Sequence, residues 1–382
     1  MNRQGSDHYP FFTLKTWILL GLAVFGAIVA LYRLAVGLGP ATNLSDSTPW
    51  GLWIAFDVTT GVALAAGGFT VTFAAYVANW DKFKHIARAA TVTAFLGYLL
   101  VVFGVFLDIG KPFSIWHPIF FWQPTSVMFE IVICITLYTL VLFLEFLPWL
   151  LERLNVLTGL RDFLEKRSVL FTLVILGIML SYGHQSSLGG LFLITPAKLH
   201  PLWYTQFIHH LFFLSAVCVG LSMVSCETIV SANMRNKEHE TGILDGLARG
   251  TAIALLVYFL VRIADLAIKG NITAMFEGSL QSSLFLLEVG VGVVLPMLLL
   301  ASKSIRFSIP ALLASHGMVI FGVVLNRFNV VFLTESNMGA AAYFPSWQEF
   351  AITVGLVSAG LFLYKLIVTQ LPIFTTTAEQ KH

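Results

Sequence analysis

Long apolar stretches, interrupted at near-regular intervals by short polar segments, organise this chain. They lie near residues 15–36, 51–78, 89–108, 126–150, 168–184, 204–232, 249–268, 280–302, 308–327 and 349–371. A helix rising 1.5 Å per residue needs about 20 residues to cross a hydrocarbon core, and the runs have that length, the fifth being the shortest. The pattern predicts an all-α integral membrane protein with ten transmembrane helices, a single polytopic domain over residues 1–382. The longest connections, at about 20 residues, are too short to hold a soluble domain. Met1–Phe12 is polar and the run after it is long enough to span, so it reads as a retained helix rather than a secretory signal.

Composition agrees: 57% of the 382 residues are hydrophobic and 11% charged, against about 25% charged in soluble domains. The expected surroundings are a lipid bilayer, with no nucleic acid. The net charge of +2 conveys less than its distribution. Arg3, Lys15, Lys82, Lys84, Arg88, Arg153, Arg161, Lys166, Arg167, Arg235, Lys237, Arg249, Lys303, Arg306, Lys365 and Lys381 fall on one side. Only Lys111, Lys198, Lys269 and Arg327 fall on the other. Positive charge is retained inside, which predicts that both termini are cytoplasmic.

Tryptophan divides unevenly. Trp50, Trp53, Trp116, Trp122, Trp203 and Trp347 lie at outer ends, and Trp17, Trp80 and Trp149 at inner ends. Interfacial anchoring accounts for such a belt. The outer connections, IGKPFSIWHPIFFWQP and HQSSLGGLFLITPAKLHPLW, are also long and aromatic, as expected of segments that line a cavity or receive a partner.

Seven acids interrupt the apolar runs: Asp57, Asp108, Glu130, Glu145, Glu227, Asp265 and Glu288. A charge at mid-bilayer costs roughly 2.5–3.5 kcal/mol on insertion scales, so such residues face a bundle interior or a polar pathway. Glu130 and Glu145 share the fourth helix, roughly 22 Å apart along its axis and about 60° around it, and could belong to one polar seam. Arg262 and Asp265, at i and i+3, could form an intrahelical pair. GYLLVVFGVFLDIGK and ALLVYFLVRIADLAIK each end in a helix-terminal Asp, with Glu130 or Glu288 following. Read as a faint internal repeat, this would make helices 2–5 and 6–9 two similarly oriented four-helix bundles, plus flanking helices; chance similarity among apolar helices is the alternative.

His184–Gln185–Ser186–Ser187 closes the fifth run and is the densest polar cluster at membrane depth. An imidazole there can donate to a carbonyl and relay protons, as a quinone requires. A self-satisfied helix end is the plainer alternative. His209, His210 and His316 supply no pair at suitable depths for a two-haem protein, so no intrinsic haem is expected. Cys134, Cys218 and Cys226 form no CxxC, so no iron–sulfur cluster or other metal site is expected.

STPWGLWIAFD leading into GVALAAGGF, SVMFEIVICITLYTLVLFLEF, HQSSLGGL, HPLW and AYFPSWQEF resemble the NrfD/polysulfide reductase membrane-subunit family, in its ten-helix HybB-type branch. The resemblance covers nearly the whole chain. It implies a quinone-reactive subunit of the bacterial inner membrane that uses menaquinone or another quinone. Its implied partner is a periplasmic ferredoxin-like iron–sulfur subunit, linked to hydrogenase or multihaem cytochrome c subunits. It implies a pocket near the outer face approached by Asp57, Asp108, Glu130, His184 and Gln185. Trp50, in the same outer motif, joins that set. Glu130, Glu145, Glu227, Arg262, Asp265, Glu288 and His316 are the candidates for proton transfer across the membrane. A secondary transporter or proton channel, and a passive membrane anchor, are the alternatives.

Overall fold

The computed structural model describes residues 11–45, 48, 50–194, 199–234, 237–332, 343–371 and 373. Arg3, Lys198, Arg235 and Lys381, four of the basic residues used to orient the chain, lie outside them. Ten helices are long and apolar enough to cross a membrane. They are α1 (Leu14–Val36), α2 (Trp53–Val77), α3 (Asp81–Asp108), α4 (Val127–Leu154), α5 (Arg167–Ile194), α6 (Ile208–Met234), α7 (Thr241–Ile268), α8 (Leu280–Ala301), α9 (Ile309–Phe332) and α10 (Trp347–Gln370). No strand is formed among the described residues; Ser45 and Thr48 make an isolated bridge.

Each expected run is a helix, but several ends move outward. The polar residues before Ala89 and Arg249 continue the helical hydrogen bonding of α3 and α7, which hydropathy alone does not register. The fifth run does not close at His184. The helix continues through His184–Gln185–Ser186–Ser187 to Gly190, so the polar cluster belongs to a regular helix. Side-chain caps hold several ends. Ser126 caps α4, Ser279 caps α8, and Ser346 with Glu349 forms a capping box on α10.

Helix α2 contacts α3 and α5, and α4 bridges α3 and α5. Likewise α6 contacts α7 and α9, and α8 bridges α7 and α9. Helix α6 joins the two rings by lying against α2 and α5, while α1 and α10 pair together outside, with α10 against α3. Peripheral α1 turns Leu14, Trp17, Ile18, Phe25 and Ile28 outward, as a lipid-facing helix does. Helix α2 is the innermost span; 78% of its most apolar window is buried, against 17% for α1.

Burial shapes α2. Residues Trp53–Thr60 and Phe73–Val77 are π-helical, with a turn at Ala65–Ala66 between them. Such irregular backbone at membrane depth is tolerated where neighbours take up the freed polar groups. A side chain on Gly220 of α6 would lie 2.7 Å from the Ala66 carbonyl carbon, so only glycine permits this approach. The α1–α10 pair uses the same device. A Cβ on Gly26 would lie 2.6 Å from the Gly355 Cα. Gly355→Leu is therefore expected to lower thermal stability by at least about 1–3 kcal/mol through overpacking, measured by melting in detergent.

Candidate functional site

The first ring encloses a ladder of polar side chains. His184 is completely buried on α5, with Nδ1 3.2 Å from the Tyr98 hydroxyl of α3. The Tyr98 ring meets Tyr138 of α4 edge-on at 4.5 Å between centroids. Tyr138 and Glu145 of α4 both flank Gly177 of α5, where a Cβ would sit 3.4 Å from the tyrosine ring and 3.8 Å from the carboxyl Oε1. Glu145 is buried. His184, Tyr98, Tyr138 and Glu145 therefore step down the interior of α3, α4 and α5.

Gln185 explains how α2 tolerates its broken backbone. Ala66 N–H bonds to the Ala63 carbonyl instead of Val62, and the Gln185 amide donates to the Val62 carbonyl at 2.8 Å. The glutamine thus satisfies a carbonyl released by the turn. Its Oε1 and the His184 Nε2 are buried and have no hydrogen-bond partner among the described residues. An unused donor or acceptor in such a place costs about 1–3 kcal/mol, so a ligand or water that engages it gains by the same interaction.

Other expected residues lie elsewhere. Glu130 is exposed in the first turn of α4, where the helix dipole favours a carboxylate, and the Ser187 hydroxyl lies 2.6 Å away. No hydrogen bond links it to Glu145, so the described contacts connect Glu145 to His184 through two tyrosines instead. Trp50 packs edge-on against Phe192 at 5.5 Å, beyond the end of the polar cluster on α5.

Asp57 and Asp108 do not meet His184. Asp57 accepts from Thr353 of α10 at 2.6 Å. Asp108 lies near Arg33 of α1, Glu349 of α10 and Asp57 itself. Glu349 is buried and accepts from the Ser346 and Asn43 amides at 2.8 and 3.1 Å and from the Tyr343 hydroxyl. Burial, and then the hydrogen bond to Glu349, push the Tyr343 phenol far above its ordinary value, so it remains a donor. This acid group sits between the first ring and the α1–α10 pair. Arg33 and Glu349 were absent from the sequence-based candidates: Arg33 is a lone charge in an apolar run, and Glu349, though inside AYFPSWQEF, reads as part of a helix start.

The second ring holds a different kind of centre. Glu288 is buried on α8 and accepts three N–H bonds, from Trp203 (2.9 Å), Asn326 (2.8 Å) and Asn329 (2.8 Å). Arg327 donates to Asn326 Oδ1 (2.6 Å) and Ser215 Oγ (2.8 Å), with its guanidinium over the Phe212 ring at 3.6 Å. Counted in sequence as an outer-loop base, Arg327 instead lies inside α9. Trp203, an expected interfacial anchor, is fully buried as a donor to Glu288, and Trp53 is likewise buried, 3.4 Å from the Glu349 carbonyl. Two cavities adjoin Glu288, Tyr258, Asn326 and Arg262, each with room for about one water.

The expected Arg262–Asp265 pair is not made. Arg262 donates to the Leu202 carbonyl at 2.9 Å. Asp265 accepts from Thr205 at 2.5 Å and pairs with Lys269 at 2.9 Å, one helical turn on. Burial pulls the Lys269 ammonium below its ordinary value and Asp265 opposes this. Both residues thereby pin the segment before α6 to α7. His316 of α9 is buried, 3.1 Å from Ser222 of α6. Glu227 of α6 turns out of the second ring toward α10, accepting from Tyr364 at 2.5 Å. Among the described residues no group of three or more His, Cys, Asp or Glu is placed to hold a metal ion.

The family model described as "Polysulphide reductase, NrfD" matches residues 40–336. The chain belongs to the NrfD family. A protein of Nitratidesulfovibrio vulgaris is 35% identical over 94% of both chains. The "Probable Ni/Fe-hydrogenase 2 b-type cytochrome subunit" of Escherichia coli is 30% identical, covering 94% of this chain and 92% of its own. The "Menaquinone reductase, integral membrane subunit" of Nitratidesulfovibrio vulgaris is 28% identical, covering 98% and 96%. Two of these relatives are thus named as subunits of a hydrogenase and of a menaquinone reductase, the latter as an integral membrane subunit. The ladder, the acid group around Asp108 and the Glu288 centre all fall within or beside the matched span.

Proposed function

We propose that this NrfD-family chain is the quinone-reactive membrane subunit of a multisubunit anaerobic respiratory oxidoreductase. The observation that carries the proposal is His184: a buried imidazole with an uncommitted Nε2, beside the uncommitted Gln185 Oε1 and backed by Tyr98. A quinone carbonyl needs a proton donor when it is reduced, and a quinol hydroxyl needs an acceptor when it is oxidised. A neutral or protonated imidazole meets both needs. In this reading His184 exchanges the proton at the substrate oxygen and Gln185 orients the ring. The Tyr98–Tyr138–Glu145 ladder, with the Ser181 hydroxyl facing both phenols, restores the proton from the cytoplasmic side. Menaquinone is the proposed substrate, in keeping with the name of one relative.

The helix contacts support two four-helix bundles, α2–α5 and α6–α9, with α1 and α10 flanking. The loop charges support cytoplasmic termini in a bacterial inner membrane. A periplasmic iron–sulfur subunit would then exchange electrons near the outer connections, where Phe113, Phe120, Phe121 and Trp122 are exposed. We place no haem in this chain, although one relative is named a b-type cytochrome subunit. The buried imidazoles of His184 and His316 belong to different rings, each bonded to its own neighbour. Reduced-minus-oxidised spectra of the isolated subunit test this; a b-type absorbance band would contradict it.

Photolabelling of the intact complex with an azido-quinone tests the site. The expected adduct falls on the peptide spanning Ser181–Leu188 or on Tyr98, and excess menaquinone suppresses it. Labelling confined to α6–α9 would overturn the assignment.

A further inference from the structure

The contact between α3 and α10 carries polar groups at both ends and an apolar closure between them. At the outer end Asp57 accepts from Thr353, and a side chain on Gly104 would lie 2.9 Å from the Asp57 Cβ. Asp108 Oδ1 and the Nε of buried Arg33 stand beside this pair with no hydrogen-bond partner. At the inner end Glu227 accepts from Tyr364 and lies next to Thr93, while Ser231 Oγ is 3.5 Å from the tyrosine hydroxyl.

The order along the two helices matches. Along α3 come Thr93, Leu100 and Gly104; along α10, running the opposite way, come Tyr364, Gly360 and Thr353. The eleven-residue steps from Thr93 to Gly104 and from Thr353 to Tyr364 each rise about 16 Å. Midway, a Cβ on Gly360 would lie 2.6 Å from Leu100 Cδ1, so the leucine rests directly on the α10 backbone. The three atoms nearest that position all belong to the Leu100 side chain.

We propose that the α3–α10 seam is a proton route separate from the His184 ladder, closed by Leu100 against Gly360. Carboxyl, hydroxyl and phenol groups exchange protons and water but present no geometry for a larger solute. The outer end gathers three carboxyls, Asp57, Asp108 and Glu349, around one guanidinium. Carboxyl groups outnumber the guanidinium there, so this end offers oxygen atoms to which a proton can be delivered. Glu227 is the corresponding inner group. Rotation of Leu100, or a slide of α10 along α3, would admit water between the two ends. Glycine at 360 lets such a slide occur without a side chain catching on Leu100.

The test requires no quinone. The complete complex is reconstituted into liposomes without electron donor, and proton entry under an imposed potassium-diffusion potential is followed with an internal pH dye. Leu100→Ser is expected to raise proton flux about fivefold or more by hydrating the closure, and Leu100→Met to leave it unchanged. Glu227→Gln added to Leu100→Ser is expected to return the flux to the wild-type level. Leu100→Asn serves as a second polar variant if the serine variant does not fold, as judged by melting and gel filtration. Wild-type flux in a folded polar variant overturns the proposal, as does a raised flux that Glu227→Gln leaves in place. Either result leaves the quinone reading of His184 standing, because that reading is measured by turnover.

Discussion

Replacing His184 with alanine is expected to lower quinone-linked turnover of the complex by about 100-fold, the typical contribution of a positioned acid–base group. His184 is completely buried and its Nε2 has no hydrogen-bond partner among the described residues, so its removal withdraws the proton partner of the substrate. Electron transfer to a soluble dye at the partner subunits should continue at the wild-type rate, which separates chemistry at the quinone from damage to the complex. Tyr98→Phe leaves the imidazole but removes the hydroxyl 3.2 Å from its Nδ1. Its expected effect is smaller, about tenfold, because orientation and proton return are impaired while the donor remains. Equal turnover in wild-type and His184→Ala complexes would remove the ladder from the reaction.

Glu288→Ala is expected to damage stability rather than chemistry. The carboxylate accepts from Trp203, Asn326 and Asn329, and Arg327 is held through Asn326. Removing one partner of such a buried arrangement leaves uncompensated donors and a guanidinium, at a cost of about 3–5 kcal/mol. The measurement is thermal unfolding in detergent, where the midpoint should fall sharply. Glu288→Gln keeps an acceptor oxygen and should fall less, with quinone turnover retained. If the glutamine variant instead melted normally and lost turnover, Glu288 would be a proton carrier, as its position in the sequence suggested.

The ten helices were legible because lipid demands long apolar runs that close their own hydrogen bonds, a constraint every span had to meet. The position of His184–Gln185 within the fifth span was also legible, although the helix continues past it. What the pattern could not convey was direction. Asp57 sits one position from Phe56 in an apolar run, and only the packing of α10 shows that it meets Thr353 rather than His184. Arg262 and Asp265 have ideal spacing for an intrahelical pair, yet backbone carbonyls and Lys269 offer closer partners. Tyr98 and Tyr138 escaped notice because tyrosine in an apolar run resembles an interfacial anchor. Trp203 and Arg327 were misplaced for a related reason: hydropathy assigns depth along a helix but not the side it faces. Glu349 lies in a capping box that its spacing from Ser346 encodes, but its bond from the Asn43 amide, about 300 residues away, is a relation that spacing does not convey.

Binding of a fluorescent quinol-analogue inhibitor to the purified complex tests the central claim most directly, with wild-type, His184→Ala and Glu288→Gln compared side by side. The account predicts a single site whose Kd rises about tenfold or more in His184→Ala, and stays at the wild-type value in Glu288→Gln. Unchanged affinity in His184→Ala, or loss of binding in Glu288→Gln, would contradict it.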